Sequence, residues 1–180
     1  NNIIHIAWYN NDSPYLKIHY RKLVPLSNTY GAISSLSTCG ATAESSDFSP
    51  VIAATDACKI YISWVGLKDC SDGSLGYSIY YSTIDQNFAF TTPIEITDST
   101  DFDGTLVSDP QIITRPGLIG TDFDSKDASF AIAWKSSADV DNSDTDNDIL
   151  IQRFDDCGGI VGSLEALSEG TITDGFNIGA

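Results

Sequence analysis

The sequence predicts an all-β fold built from about three four-stranded antiparallel units. Helical periodicity is almost absent, and apolar residues alternate with other residues along many short segments. A period of two places every second side chain on the same face of a strand, so each segment is expected to bury at least one face. One alternating segment also recurs three times, which indicates a chain organised as repeats.

The recurring segment carries the three tryptophans of the chain. Its copies, "IIHIAWY", "KIYISWV" and "SFAIAWK", align without a gap and place Trp8, Trp64 and Trp134 at the same position. A small residue precedes each tryptophan, and apolar residues stand two and four positions before it. We therefore expect three equivalent strands, each with its tryptophan on a buried face.

Further strands flank each tryptophan strand in a fixed order. A second alternating strand follows it, "LKIHYRK", "YSIYYST" or "ILIQRF", and a weaker one closes the unit, "GAISSLS", "PIEIT" or "GSLEALS". In the second and third units a short apolar strand opened by X-Pro comes first, "SPVIAA" or "DPQII". Proline as the first residue of a strand removes no necessary hydrogen bond from the sheet. With the strands labelled a to d, the first unit lacks strand a.

Units of this kind are typical of the blades of a β-propeller. The sequence thus predicts one β-propeller-like domain or fragment over residues 1–180, incomplete at the first blade. Blade 1 is expected at about 3–37, blade 2 at about 49–97 and blade 3 at about 109–168, followed by a tail at 169–180. An ordinary β-sandwich is the alternative.

A first blade that begins with its tryptophan strand would have an unpaired edge, which proteins usually cover. The expected partners are other copies of the chain or further blades of a longer chain. In the first case the tail "TITDGFNIGA" of one subunit would add a strand to the first blade of another. Head-to-tail repetition of that contact would give a ring or a filament.

Composition excludes several classes of partner. Nine Lys and Arg against 25 Asp and Glu give a net charge of −16, so neither nucleic acid nor an anionic membrane surface is expected to bind. No apolar run is long enough for a membrane-spanning helix. A hydrophobic fraction of 42% argues against a disordered chain.

The four cysteines favour an extracellular or cell-surface protein. Their even number, the acidity of the chain and a glycosylation sequon at Asn11 all point to an oxidising compartment. In a propeller the d–a and b–c loops share one face, and the a–b and c–d turns share the other. That topology predicts the disulfides Cys39–Cys70 and Cys58–Cys157. The alternative is that one or more of these cysteines is buried and reduced.

The stretch "DVDNSDTDND" contains five aspartates in ten residues and is predicted to be the b–c loop of blade 3. The d–a link "DSTDFDGT" leads into the same blade, so the two segments should be neighbours. Ca²⁺ binds six to eight oxygen atoms, chiefly from carboxylates and carbonyls. A plain solvated acidic loop is the alternative, as it is for a third cluster, "TDFDSKD". The predicted ligands of a structural calcium ion are Asp139, Asp141, Asp144, Asp146, Asp148, Asp101 and Asp103.

The order of strands in the second unit resembles the sialidase-like repeats, also called BNR or Asp-box repeats, of secreted and surface propellers. The third unit, with "DPQI" and "FAIAWKS", is similar to related repeats in bacterial surface proteins. The Asp box itself is degraded, because "STIDQNFAF" keeps Ser82, Asp85 and Phe90 but has one extra residue and no glycine. The resemblance therefore supports the fold more than an activity.

Sialidase chemistry, which the resemblance would imply, needs three arginines around a substrate carboxylate. The arginines of this chain are Arg21, Arg115 and Arg153, and the predicted topology separates them, so we predict no catalytic residue and no enzyme. The expected function is an extracellular or cell-surface module with a structural or binding role, braced by disulfides and stabilised by calcium. The alternatives are a non-catalytic fragment of a sialidase-like glycoside hydrolase and a lectin-like propeller that binds glycans.

Overall fold

The computed structural model describes ten segments of the chain, which form three four-stranded antiparallel sheets. This confirms the all-β prediction and the antiparallel four-stranded units. The three tryptophans lie in three different sheets, as the repeats predict. The described segments are 3–10, 16–36, 46–54, 59–68, 76–84, 90–97, 106–114, 130–137, 147–155 and 157–167.

The first sheet is centred on its second strand. Strand β2 pairs with β1 along one edge and with β3 and β4 at successive stretches of the other edge. A single 3₁₀ turn at Pro25–Ser27 separates β2 from β3, a two-residue strand that the sequence pattern did not indicate. The strands are β1 Ile4–Asn10, β2 Lys17–Val24, β3 Thr29–Tyr30 and β4 Ser34–Leu36.

The second and third sheets follow the order of the chain, so each strand pairs with the next. This is the predicted order a, b, c, d. The second sheet contains β5 Ser46–Ala54, β6 Ile60–Lys68, β7 Gly76–Ile84 and β8 Ile94–Glu95. The third sheet contains β9 Val107–Thr114, β10 Phe130–Ser136, β11 Asp148–Phe154 and β12 Ile160–Ala166.

The three sheets are stacked with the second sheet in the middle. We call the side of each sheet that carries its tryptophan the Trp face, and the other side the opposite face. The Trp face of the second sheet, with Trp64, packs on Ile18 and Tyr20 from the opposite face of the first sheet. The Trp face of the third sheet packs on Tyr61 and Tyr81 from the opposite face of the second. At both junctions, therefore, a Trp face packs on the opposite face of the preceding sheet.

The X-Pro pairs lie inside strands β5 and β9, not at their beginnings, so that prediction was wrong. Ser49 and Pro50 together stand opposite Trp64, where the register of β5 and β6 shifts. In the third sheet, Asp109-Pro110 stands opposite the tryptophan in the same way. Two residues opposing one make a β-bulge, where proline is tolerated. The sequence shows the proline but not how its strand pairs with the next strand. The prediction therefore placed the start of a strand where the structure has a bulge.

Candidate functional site

The Trp face of the first sheet is open, and it is the candidate site. Ile4 is 48% exposed, Ile6 is 38% exposed and Trp8 is half-buried. Among the described residues no sheet precedes the first one, whereas the second and third sheets each pack on a preceding sheet. The residues at the same positions of the other two Trp faces are all 5% exposed or less: Ile60, Ile62, Trp64, Phe130, Ile132 and Trp134.

Strand β2 supplies the other half of this open face. His19, Arg21 and Leu23 pair with Trp8, Ile6 and Ile4 respectively, so all six side chains share one face. The rings of Trp8 and His19 stack with centroids 5.6 Å apart. The face therefore combines an apolar stripe along β1 with a partly polar stripe along β2.

The polar side chains of this face are held by neighbours within the first sheet. The Ser35 hydroxyl is 3.0 Å from His19 Nδ1, and Arg21 Nε donates a hydrogen bond of 2.8 Å to the carbonyl oxygen of Gly31. The Arg21 guanidinium also lies 4.5 Å from the centre of the Tyr30 ring. The apolar side chains of this face are the exposed Ile4 and Ile6 and the partly buried Trp8 and Leu23.

On the opposite face of the first sheet, a side-chain contact joins β1 to β2. His5 Nδ1 and the Tyr20 hydroxyl are hydrogen-bonded at 2.6 Å, and their rings stack. Burial raises the pKa of Tyr20 to about 12, and burial together with the nearby Lys22 charge lowers the pKa of His5. Both shifts favour the neutral forms, so this pair links β1 to β2 without a net charge at neutral pH.

Strand β1 also has an open edge within the described part of the chain. It pairs with β2 alone, whereas β6 lies between β5 and β7, and β10 lies between β9 and β11. The sequence predicts that the first blade lacks strand a, and the tail at 169–180 lies outside the described segments. An added strand could use that edge, and an added sheet could use the open Trp face.

A buried polar group distinguishes the second sheet from the third. Trp64 Nε1 donates a hydrogen bond of 3.2 Å to Asp47 Oδ1, and the backbone N–H of Asp47 donates to the Leu16 carbonyl of the first sheet. At the corresponding position of the third sheet stands Val107, and among the described residues the Trp134 indole nitrogen has no hydrogen-bond partner. Since Asp47 and Trp64 are fully buried, they belong to the junction of the first two sheets and not to an open site.

The predicted calcium ligands are almost all outside the described residues. Asp148 is described, and it begins β11 with a buried side chain. The part of the chain that the structure describes contains no group of three or more His, Cys, Asp or Glu placed to hold a metal. The calcium site therefore stays a prediction. The other six predicted ligands lie outside the described segments: Asp139, Asp141, Asp144, Asp146, Asp101 and Asp103.

The predicted disulfides and the sequon also stay predictions. Cys157 lies exposed in the turn between β11 and β12, and it forms no disulfide with another described residue. Its predicted partner Cys58 lies outside the described segments. The remaining residues of these two predictions, Cys39, Cys70 and the sequon residue Asn11, lie there as well.

The two described arginines, Arg21 and Arg153, each contact residues of their own sheet. Arg153 forms a two-pronged ion pair with Glu165 across β11 and β12, with one nitrogen–oxygen distance of 2.9 Å. The hydrogen bonds from Arg153 lower the pKa of Glu165. Arg21 binds Gly31 and Tyr30, as described above, and Arg115 lies outside the described segments.

Comparisons with protein-family models, with curated proteins and with solved structures found no match for this chain. They therefore do not bear on the resemblance to Asp-box repeats. Within the described segments no helix has the length and apolar character needed to cross a membrane. The interpretation of the site thus depends on the geometry of the stacked sheets alone.

Proposed function

We propose that this chain is an extracellular or cell-surface structural module of the β-propeller type. Its three sheets would be consecutive blades, and its task would be assembly with further blades. The observation that carries the proposal is the open Trp face of the first sheet, whose counterparts in the other two sheets are buried against a preceding sheet. An apolar face left open in this way marks a surface built for a partner.

The repetition within the chain supports the propeller part of this proposal. Each tryptophan strand pairs with the following strand without a register shift, and Trp8 opposes His19, Trp64 opposes Tyr80 and Trp134 opposes Leu150. Consecutive sheets also meet through the same two kinds of face at both junctions. Repetition of one junction between four-stranded sheets is how propellers are built.

Electron microscopy of the purified native assembly tests the propeller directly. The expected result is a round particle with a central channel, seen along the axis about which the blades are arranged. A straight stack of sheets without curvature would contradict the proposal. That experiment does not depend on which chain supplies the additional blades.

The metal and disulfide parts of the proposal need their own test. If calcium binds the acidic loop that ends at Asp148, EDTA should lower the melting temperature, and added Ca²⁺ should restore it. An unchanged melting temperature would remove calcium from the proposal. Counting reactive thiols in the denatured, unreduced protein tests the disulfides. No reactive thiol is expected if both bridges form, whereas four would exclude them.

The tail at 169–180 is a less suitable strand a than the chain's own examples. In β5 and β9 an X-Pro pair forms the bulge opposite the tryptophan, but "TITDGFNIGA" contains no proline. Exchange of this tail between subunits remains a proposal, and its structure lies outside the described residues. Deleting 169–180 should weaken assembly if exchange occurs and leave it unchanged otherwise.

A further inference from the structure

The chain has two different ends. At one end the Trp face of the first sheet is open, and at the other end the opposite face of the third sheet has no sheet packed on it within the described part of the chain. At each internal junction the Trp face of one sheet packs on the opposite face of the preceding sheet. The two open faces are therefore of the two kinds that the chain already packs together.

The opposite face of the third sheet carries apolar residues at the positions that the covered sheets use. Ile151 pairs with Ala133 as Tyr81 pairs with Ser63, and as Tyr20 pairs with Ala7 in the first sheet. Tyr20 and Tyr81 are buried by the next sheet, whereas Ile151 is only partly buried.

Two more isoleucines extend this apolar surface. Ile149, two residues before Ile151 in β11, occupies the place of Ile79 in the second sheet and is partly buried where Ile79 is fully buried. Ile113 in β9 pairs with Ala131 on the same face and is 49% exposed. This face of the third sheet thus presents three incompletely buried isoleucines, beside Lys135 and the ion pair of Arg153 with Glu165.

We propose that the open Trp face of the first sheet binds the opposite face of the third sheet of a second copy of this chain. The contact would repeat the two internal junctions, so the fold itself supplies its template. It is heterologous, because the two copies contribute different surfaces. After this contact one copy keeps an unused opposite face and the other keeps an unused Trp face, so a second identical contact can close the assembly.

The number of sheets is compatible with closure. Two copies of three sheets give six sheets, within the range of about four to eight blades that propellers use. Closure into a ring rests on the proposed function, whereas the docking of the two faces does not. An experiment can therefore contradict ring closure without contradicting the docking of the two faces.

The test uses single charges placed on exposed positions of each face. Ile6→Asp lies on the Trp face of the first sheet, and Ile113→Asp lies on the opposite face of the third. Each is expected to weaken self-association by at least about tenfold in sedimentation velocity, because a charged side chain would replace an apolar one within the contact. Leu26→Asp is the matched control, since Leu26 is 88% exposed in the 3₁₀ turn and lies on neither face. It should associate like the unmodified chain.

Mixing the two variants identifies the head-to-tail arrangement. Ile6→Asp retains a functional third sheet and Ile113→Asp retains a functional first sheet, so together they can form one intact contact. The mixture should contain a dimer that neither variant forms alone. Circular dichroism of each variant checks that it is folded.

Three results would overturn the proposal. A folded, unmodified chain that stays monomeric at every concentration would exclude a second copy as the occupant and point to blades of another chain. Loss of the dimer in Ile6→Asp but not in Ile113→Asp would indicate two Trp faces packed together. A mixture without a dimer would exclude the head-to-tail contact. If the mixture forms a dimer but microscopy shows no ring, the docking of the two faces is supported and the propeller proposal is contradicted.

Discussion

Gly158 illustrates how one residue can connect two sheets. It lies in the turn between β11 and β12, and its carbonyl oxygen accepts a hydrogen bond from the Tyr81 hydroxyl of the second sheet. Its φ is +84°, and a Cβ atom there would lie 2.9 Å from the Tyr81 hydroxyl oxygen. Any other residue would therefore meet both backbone strain and a steric clash.

A comparison with Gly162 separates these two effects. Gly162 has φ +75° but no atom within 4 Å of the Cβ position, so Gly162→Ala measures backbone strain alone. We expect Gly162→Ala to cost about 1 kcal/mol and Gly158→Ala about 2–3 kcal/mol in the free energy of unfolding. Urea denaturation measures both. Equal costs would mean that the clash of the added Cβ with Tyr81 costs nothing.

Residues at the same position of the repeat have different hydrogen-bonding neighbours. This difference limited what the sequence could predict. The alternation placed Trp64 and Trp134 on equivalent strands, which is confirmed. It could not show that Asp47, 17 positions away, accepts the hydrogen bond of Trp64, or that Val107 occupies its place beside Trp134. Such pairs depend on the register of a neighbouring strand, and two bulges shift that register.

At the scale of the element, the bulges of β5 and β9 share a positive φ at the residue before proline. Ser49 has φ 51° and Asp109 has φ 52°, so the residue before each proline is left-handed. This region is costly for most side chains but is tolerated by Asn and Asp. The bulge is therefore a specific backbone feature and not a random irregularity of the sheet.

The identity of the residue before proline should decide the stability of the bulge. Asp109→Asn is expected to be nearly neutral, whereas Asp109→Val should destabilise the fold by about 1–2 kcal/mol, because a β-branched side chain fits a left-handed backbone poorly. Gln111→Val is the control, since Gln111 lies in the same strand with regular pairing to Ala133. Urea denaturation of the three variants measures the differences. Similar stability of Asp109→Val and Asp109→Asn would contradict this account.

The strands with the strongest alternation were the ones that the sequence predicted best. β1, β6 and β10 were all found from one pattern, and the strand after each was found as well. The same pattern could not show that the face of β1 is open, because "IIHIAWY" alternates just as "KIYISWV" does. The exposure of a strand's face depends on whether another sheet packs on it. The sequence of the strand alone does not show this. The sequence predicted the open edge of β1 but not its open face.

At the scale of the whole molecule, the second sheet differs from the other two because both of its faces are covered. Trp64 and Ile62 face the first sheet, while Tyr61 and Val65 face the third. β6 is accordingly apolar on both faces. Within the described segments the first and third sheets each have one covered face, so each should open without disturbing the far end of the stack.

Hydrogen exchange should therefore be slowest in β6 and β7 and faster in β1 and β12. Local opening of an outer sheet loses one junction, whereas exposure of the second sheet requires the loss of two. Mass spectrometry of peptic peptides measures this difference, and equal protection of all strands would contradict it. If two copies dock as proposed, protection of β1 should also increase with protein concentration. That increase should be absent in Ile6→Asp, which removes the docking surface but leaves both internal junctions intact.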